Sequence, residues 1–203
     1  TSGEDTLLID NSAGGFSNFR QGIAASKKCY STEIEAVMLT HPHKKHILSL
    51  EKLWNQQRVR QVWIPNEDTE ICYQICEKAA AAGIKIVTYT PGETLSFGNA
   101  QVTTYQNGFL ERSVQPIVRV DITANGERMV YLGAAYAEAF SLDEFKTEPA
   151  RVIWFGSHGP LYKKDADASN LAAGSVFCTG GAEEYMYTGD ILPSKKRFRF
   201  GDE

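Results

Sequence analysis

Three of the chain's four histidines, His41, His43 and His46, crowd into one segment, Met38-Leu-Thr-His-Pro-His-Lys-Lys-His-Ile-Leu-Ser-Leu50. Neutral imidazoles are the commonest side-chain ligands for transition metals and the commonest proton carriers near neutral pH. Two of them two residues apart converge on one point from an extended segment, and a third joins when the chain turns into a helix. The fourth, His158, stands in Ser157-His158-Gly159-Pro160. These residue types at this spacing point to metal-assisted or acid–base chemistry.

The flanking patterns say what must position them. An apolar run, Ala36 to Leu39, leads into the cluster as a buried strand, and Ile47, Leu50 and Trp54 follow at helical spacing. The histidines therefore fall on a strand-to-helix turn, with the positive end of the helix dipole facing the same place. His158 follows a second apolar run, Val152 to Phe155. Asp10 ends a strand begun at Leu7, where a carboxylate either orients a neighbouring histidine or serves as a cap or turn residue.

Strands and helices alternate along the remainder. Phe19 to Ser26 reads as helical, Arg60 to Ile64 as a strand stopped by Pro65, and Asp68 to Ala82 as a helix ended by Gly83. Cys72 and Cys76, with Ile71 and Ile75, share the apolar face of that helix. Such a pair could bind metal, but two thiols without nearby partners are more often small core residues, and no role is assigned to them. Ile84 to Thr90 is a strand, and Leu95–Phe97 with Gln101–Tyr105 a hairpin. Val118, Val120 and Ile122 alternate with Arg119, Asp121 and Thr123, a strand with one apolar and one polar face. Asn125-Gly126 then turns into Arg128–Leu132. Ala135 to Phe145 and Ala166 to Ala173 read as helices, Val176 to Cys178 as the last buried strand, and the basic–aromatic tail, Lys195 to Phe200, as an edge strand.

The sequence is 203 residues long, 42% hydrophobic and 23% charged, with a formal net charge of −4. That is the composition of a globular domain with a sizeable core. A mildly acidic chain does not bind nucleic acid over its whole surface. No apolar run approaches a membrane span, and the four cysteines form no disulfide pattern.

His41-Pro-His43-Lys-Lys45-His46 resembles the H-x-H-x-D-H motif of the metallo-β-lactamase superfamily. Within it the chain is most similar to the soluble hydrolase-like domain of the ComEC competence family. Leu7-Leu-Ile-Asp10-Asn11-Ser12 stands where that family has L-I-D-T-G. Tyr131-Leu-Gly133-Ala134 stands where it has L-x-G-D, and Trp154-Phe-Gly-Ser-His158-Gly159 where it has an H-H-G turn. The resemblance implies an α/β fold, an αββα sandwich of two mixed sheets flanked by helices. It further implies one domain over residues 1–203, excised from a longer bacterial inner-membrane protein and lacking its first strands. Which side of the membrane such a domain faces is left open.

The departures bear directly on chemistry. The motif's aspartate is Lys45, the bridging aspartate is Ala134, and the first histidine of the H-H pair is Ser157. In an intact site, carboxylates and imidazoles hold two zinc ions that acidify a bridging water. An ammonium about 5 Å from a dication, at an effective dielectric of about 20, costs on the order of 7 kcal/mol. That offsets much of the roughly 10–16 kcal/mol by which structural zinc binds its peptides. The expectation is therefore a pocket of Asp10, Lys45, Ala134 and Ser157 with vestigial ligands His41, His43, His46 and His158, and no bound cofactor. The alternative is one weakly held zinc or manganese ion on His41 and His43.

Lys44 and Lys45 in the histidine turn, and Lys163 and Lys164 after His158, form a positive groove if their loops meet, as the resemblance implies. Phosphate backbones, here single-stranded DNA, are attracted to such a feature, and Tyr162 offers a stacking surface. Otherwise these lysines are solvated loop residues. Three functions follow: a catalytically degenerate ComEC-type domain that serves as a scaffold or contacts DNA, alongside the membrane portion of its parent; a residual metal-dependent nuclease or phosphodiesterase; and a protein-interaction module unrelated to DNA.

Overall fold

The computed structural model describes residues 5–10, 33–42, 44–55, 58–109, 116–132, 147, 150–156, 173–179 and 185–188. Their first half holds strands β1 (Leu7–Ile9), β2 (Glu33–Met38), β3 (Arg58–Pro65), β4 (Lys85–Tyr89) and β5 (Thr94–Phe97), with helices α1 (Lys44–Trp54) and α2 (Glu70–Ala81). The second half holds β6 (Ala100–Phe109), β7 (Pro116–Ala124), β8 (Glu127–Leu132), β9 (Ala150–Gly156), β10 (Ala173–Thr179) and β11 (Tyr185–Thr188). The chain divides into two compact units, Thr1–Asn99 and Ala100–Glu203.

Strands β1 to β4 form a sheet in sequence order, every neighbouring pair parallel. Parallel neighbours need crossovers, and α1 and α2 provide those from β2 to β3 and from β3 to β4. Such strands are covered on both faces, which explains their near-continuous apolar runs. Val37, Leu39, Val62 and Ile64 join Ile47, Leu50 and Leu53 of α1 and Cys72, Ile75 and Ala79 of α2 in one core. The alternate residues Met38 and Trp63 are buried too, Trp63 meeting Phe97 edge-on with centroids 6.0 Å apart. Leu53 takes the core place expected of Trp54, which is half-buried against the same cluster.

Local chemistry sets the bounds of α2. Thr69 caps it, its hydroxyl accepting from Cys72 N at 3.2 Å. At the other end Gly83 N bonds Ala80 O and Ile84 N bonds Ala79 O, with Gly83 at φ +70°. That is a Schellman closure, which needs a residue tolerant of the left-handed region.

The second sheet has the order β11-β10-β9-β8-β7-β6-β5. Strands β6, β7 and β8 run antiparallel in turn, β8 to β10 are parallel, and β11 returns antiparallel on β10. Asn125 (φ 53°) and Gly126 (φ 78°) make the tight turn expected of them. Val176–Cys178 is not the last strand, because β11 follows it, and Ala173 opens β10 instead of ending a helix. The expected helices at 19–26, 135–145 and 166–172, and the tail strand, lie outside the described residues. No helix among those described is long and apolar enough to cross a membrane.

One departure concerns β7. Val120 is buried as its alternation implies, yet Arg119 and Asp121 on the polar face are buried as well, each about 5% exposed. Arg119 Nε donates to Asp121 Oδ1 at 2.6 Å and Nη2 to Oδ2 at 2.7 Å; Arg128 of β8 adds bonds to Oδ2 at 2.9 and 2.6 Å. The Arg119 guanidinium also sits 4.7 Å from the ring centre of Tyr105, its cross-strand neighbour on β6. Mutual pairing makes the burial of these charges tolerable.

Candidate functional site

Because β1 to β4 are parallel, their carboxyl ends share one edge of the first sheet. Asp10 leaves β1 there, Thr40 and His41 follow β2, Asn66 and Glu67 follow β3, and Tyr89 closes β4. Ligands of open parallel sheets gather beyond the carboxyl ends of the strands.

Asp10 adopts φ 47°, a left-handed conformation that aspartate tolerates better than most residues. Its own N–H donates to Met38 O at 2.9 Å. That turn brings the carboxylate over Thr40: Thr40 N donates to Oδ1 at 2.8 Å, and the Thr40 hydroxyl donates to Oδ2. Thr40 Oγ1 lies 3.1 Å from His41 Nδ1. A hydroxyl has a single proton, and here the carboxylate takes it. Oγ1 must therefore accept from Nδ1–H, which places the lone pair of a neutral His41 on Nε2. Asp10 thus reaches His41 through Thr40.

The strand exit is held from two further sides. Leu39 N donates to Trp63 O at 2.9 Å, and the buried Tyr89 hydroxyl donates to Leu39 O at 2.6 Å. Burial, then the neighbouring Asp10, Glu67 and Cys72, hold the Tyr89 phenol well above its ordinary value, so it remains a donor. Thr40 and His41 are themselves buried, at 1% and 4% exposure.

The structure brings together Asp10 and His41 of the expected site. Lys44, Lys45 and His46 occupy the first turn of α1, with their side chains outside what is described. His43, Ala134, Ser157, His158, Lys163 and Lys164 lie outside the described residues. Among those described, no group of three or more histidine, cysteine or carboxylate side chains is arranged to hold a metal. Each Asp10 oxygen accepts a hydrogen bond from Thr40, which places this carboxylate behind His41 in the manner of an orienting partner. Thr40 and Tyr89 escaped the sequence reading. Thr40 stands beside His41 and was within reach of it; Tyr89 lies 50 positions from Leu39 and carries no local signal.

Thr40→Val keeps the shape of the side chain and strips the hydroxyl from between Asp10 and His41. The expected cost is about 1–3 kcal/mol in urea unfolding. Nitrogen-15 shifts of His41 should move from the Nδ1–H form toward a tautomer mixture. An unchanged spectrum would show that Thr40 does not set the tautomer.

Solved structures with the same strand and helix arrangement are metallo-β-lactamase-fold proteins. The metallo-β-lactamase fold protein YhfI from Bacillus subtilis matches with a TM-score of 0.55 at 20% identity, over 85% of this chain and 67% of that one. The chain has the metallo-β-lactamase fold. Two further structures of that fold group agree. A diphosphatase of the PhnP family gives a TM-score of 0.51 at 14% identity, over 85% of this chain and 68% of its own. Metallo-β-lactamase MIM-1 from Novosphingobium pentaromativorans gives 0.51 at 13%, over 77% and 68%. No family model matches the sequence, and no curated protein matches it.

Proposed function

We propose that this chain is a catalytically degenerate metallo-β-lactamase-like domain of a ComEC-type DNA-uptake protein, acting as a scaffold or contacting single-stranded DNA next to the membrane portion of its parent. The observation that carries the reading is Lys45. It stands where the fold's motif has an acidic ligand, in the first turn of α1, a turn that contains no acidic residue. A helix N-terminus favours anions, and cations there oppose its dipole. A phosphate at that end relieves the opposition and pairs with Lys44 and Lys45. The domain then holds no metal.

Fluorescence anisotropy with labelled single-stranded DNA at low salt tests this. Binding should weaken steeply with salt and vanish in Lys44→Glu/Lys164→Glu, with the circular dichroism of the fold unchanged. Absence of binding at low salt removes the DNA-contacting role.

A second reading is a residual phosphodiesterase holding one zinc or manganese ion on His41 and His43. It is favoured by the Asp10–Thr40–His41 chain of contacts, which holds a buried imidazole at the strand exit, and by the diphosphatase among proteins of like fold. Elemental analysis of protein purified without chelator, with a manganese- or zinc-supplemented nuclease assay, separates the two. Activity lost in His41→Ala would replace the first reading.

A further inference from the structure

Among the described residues, Glu67 is a carboxyl at the strand-exit edge that the site does not use. It sits in a tight turn after β3, where Glu67 N donates to Pro65 O at 2.9 Å and Thr69 N to Glu67 O at 3.0 Å. Its neighbour Asn66 donates to Tyr89 O at 2.7 Å, and the Cys72 thiol reaches Pro65 O at 3.8 Å. Within this knot Glu67 Oε1 is shut away from solvent with no hydrogen-bond partner among the described residues. A buried carboxylate oxygen without a donor is costly, whereas the neutral acid loses far less by desolvation.

We propose that Glu67 is a proton-operated latch on the strand-exit edge: as the neutral acid it stays folded under the turn beside Tyr89, and on losing its proton to water it swings outward and loosens the Tyr89 hold on Leu39 O. Two titratable groups feel its charge, Tyr89 of β4 and Cys72 of α2, while Asp10 after β1 acts on the same Tyr89. Burial raises both the phenol and the thiol, so neither becomes charged before Glu67 does. Burial likewise pushes the Glu67 carboxyl above its usual value. The folded chain then binds the proton more tightly than the unfolded chain. This contribution to stability is complete below the ordinary glutamate value and is lost as pH rises through the folded one.

The test uses the full chain labelled with carbon-13 at the glutamate carboxyls. The Glu67 carbon should titrate above the ordinary glutamate range. Across that interval the unfolding constant of the wild type should rise by up to about tenfold per pH unit, the slope for one linked proton, and Glu67→Gln should flatten it. Amide exchange at Leu39, Thr40 and His41, corrected for its intrinsic pH dependence, should quicken over the same interval in the wild type only. A Glu67 carbon titrating at the ordinary value overturns the proposal, even if the glutamine variant fails to fold. So does a raised midpoint across which exchange at Leu39 to His41 stays flat. Neither readout involves metal or DNA, so failure here leaves the functional readings where they stand.

Discussion

Lys45→Asp is expected to raise the zinc affinity of the chain by at least about a hundredfold. The substitution takes the Lys45 cation out of the histidine segment and puts a carboxylate where the H-x-H-x-D-H motif that the segment resembles has one. At about 5 Å and an effective dielectric of about 20, the lost repulsion alone is on the order of 7 kcal/mol, and each 1.4 kcal/mol is about tenfold in affinity. The measured gain will be smaller, because a lysine near a dication sheds part of the penalty by giving up its proton. Calorimetry with a competing chelator, on wild type and variant side by side, reads the difference. Two tight zinc equivalents in the wild type would sink the argument, as would an aspartate variant that binds no better.

Asp121→Ala should destabilise the second unit by about 3–5 kcal/mol, because it leaves the buried Arg119 guanidinium, and the partly buried one of Arg128, without the carboxylate that joins them. Arg119 and Asp121 are each 6% exposed at the side chain and Arg128 20%, so water compensates little. Replacing all three together with apolar residues of similar volume should recover most of the loss. Urea unfolding of the single and triple variants gives both numbers. A cost below about 1 kcal/mol for Asp121→Ala would mean that the cluster behaves as a hydrated surface pair.

Neither the burial of that cluster nor the clamp on Leu39 was open to a reading of the sequence, for related reasons. The alternation Val118 to Thr123 reports which residues share a face, and that much agrees with the structure. It cannot report what covers the polar face. Arg128 reaches Asp121 only through the register of β7 on β8, which pairs Thr123 with Arg128 and Asp121 with Val130. By contrast, the Asn125-Gly126 turn, the Gly83 stop of α2 and the apolar run of β2 rest on neighbours in the chain, so their chemistry was plain before any pairing was known. At the site, Asp10 was a candidate from its place at a strand end, but its path to His41 passes through a threonine hydroxyl. That path depends on where the fold places Thr40 between the two.

The parallel arrangement of β1 to β4 has a consequence for how such a chain changes over time. Groups capable of chemistry stand at the carboxyl ends of the strands, while most of the apolar contacts that hold the unit together lie deeper, between sheet and helices. Exchanging a side chain at those ends therefore leaves that apolar core in place. A lineage can discard its reaction, or acquire a different one, on a frame that does not notice.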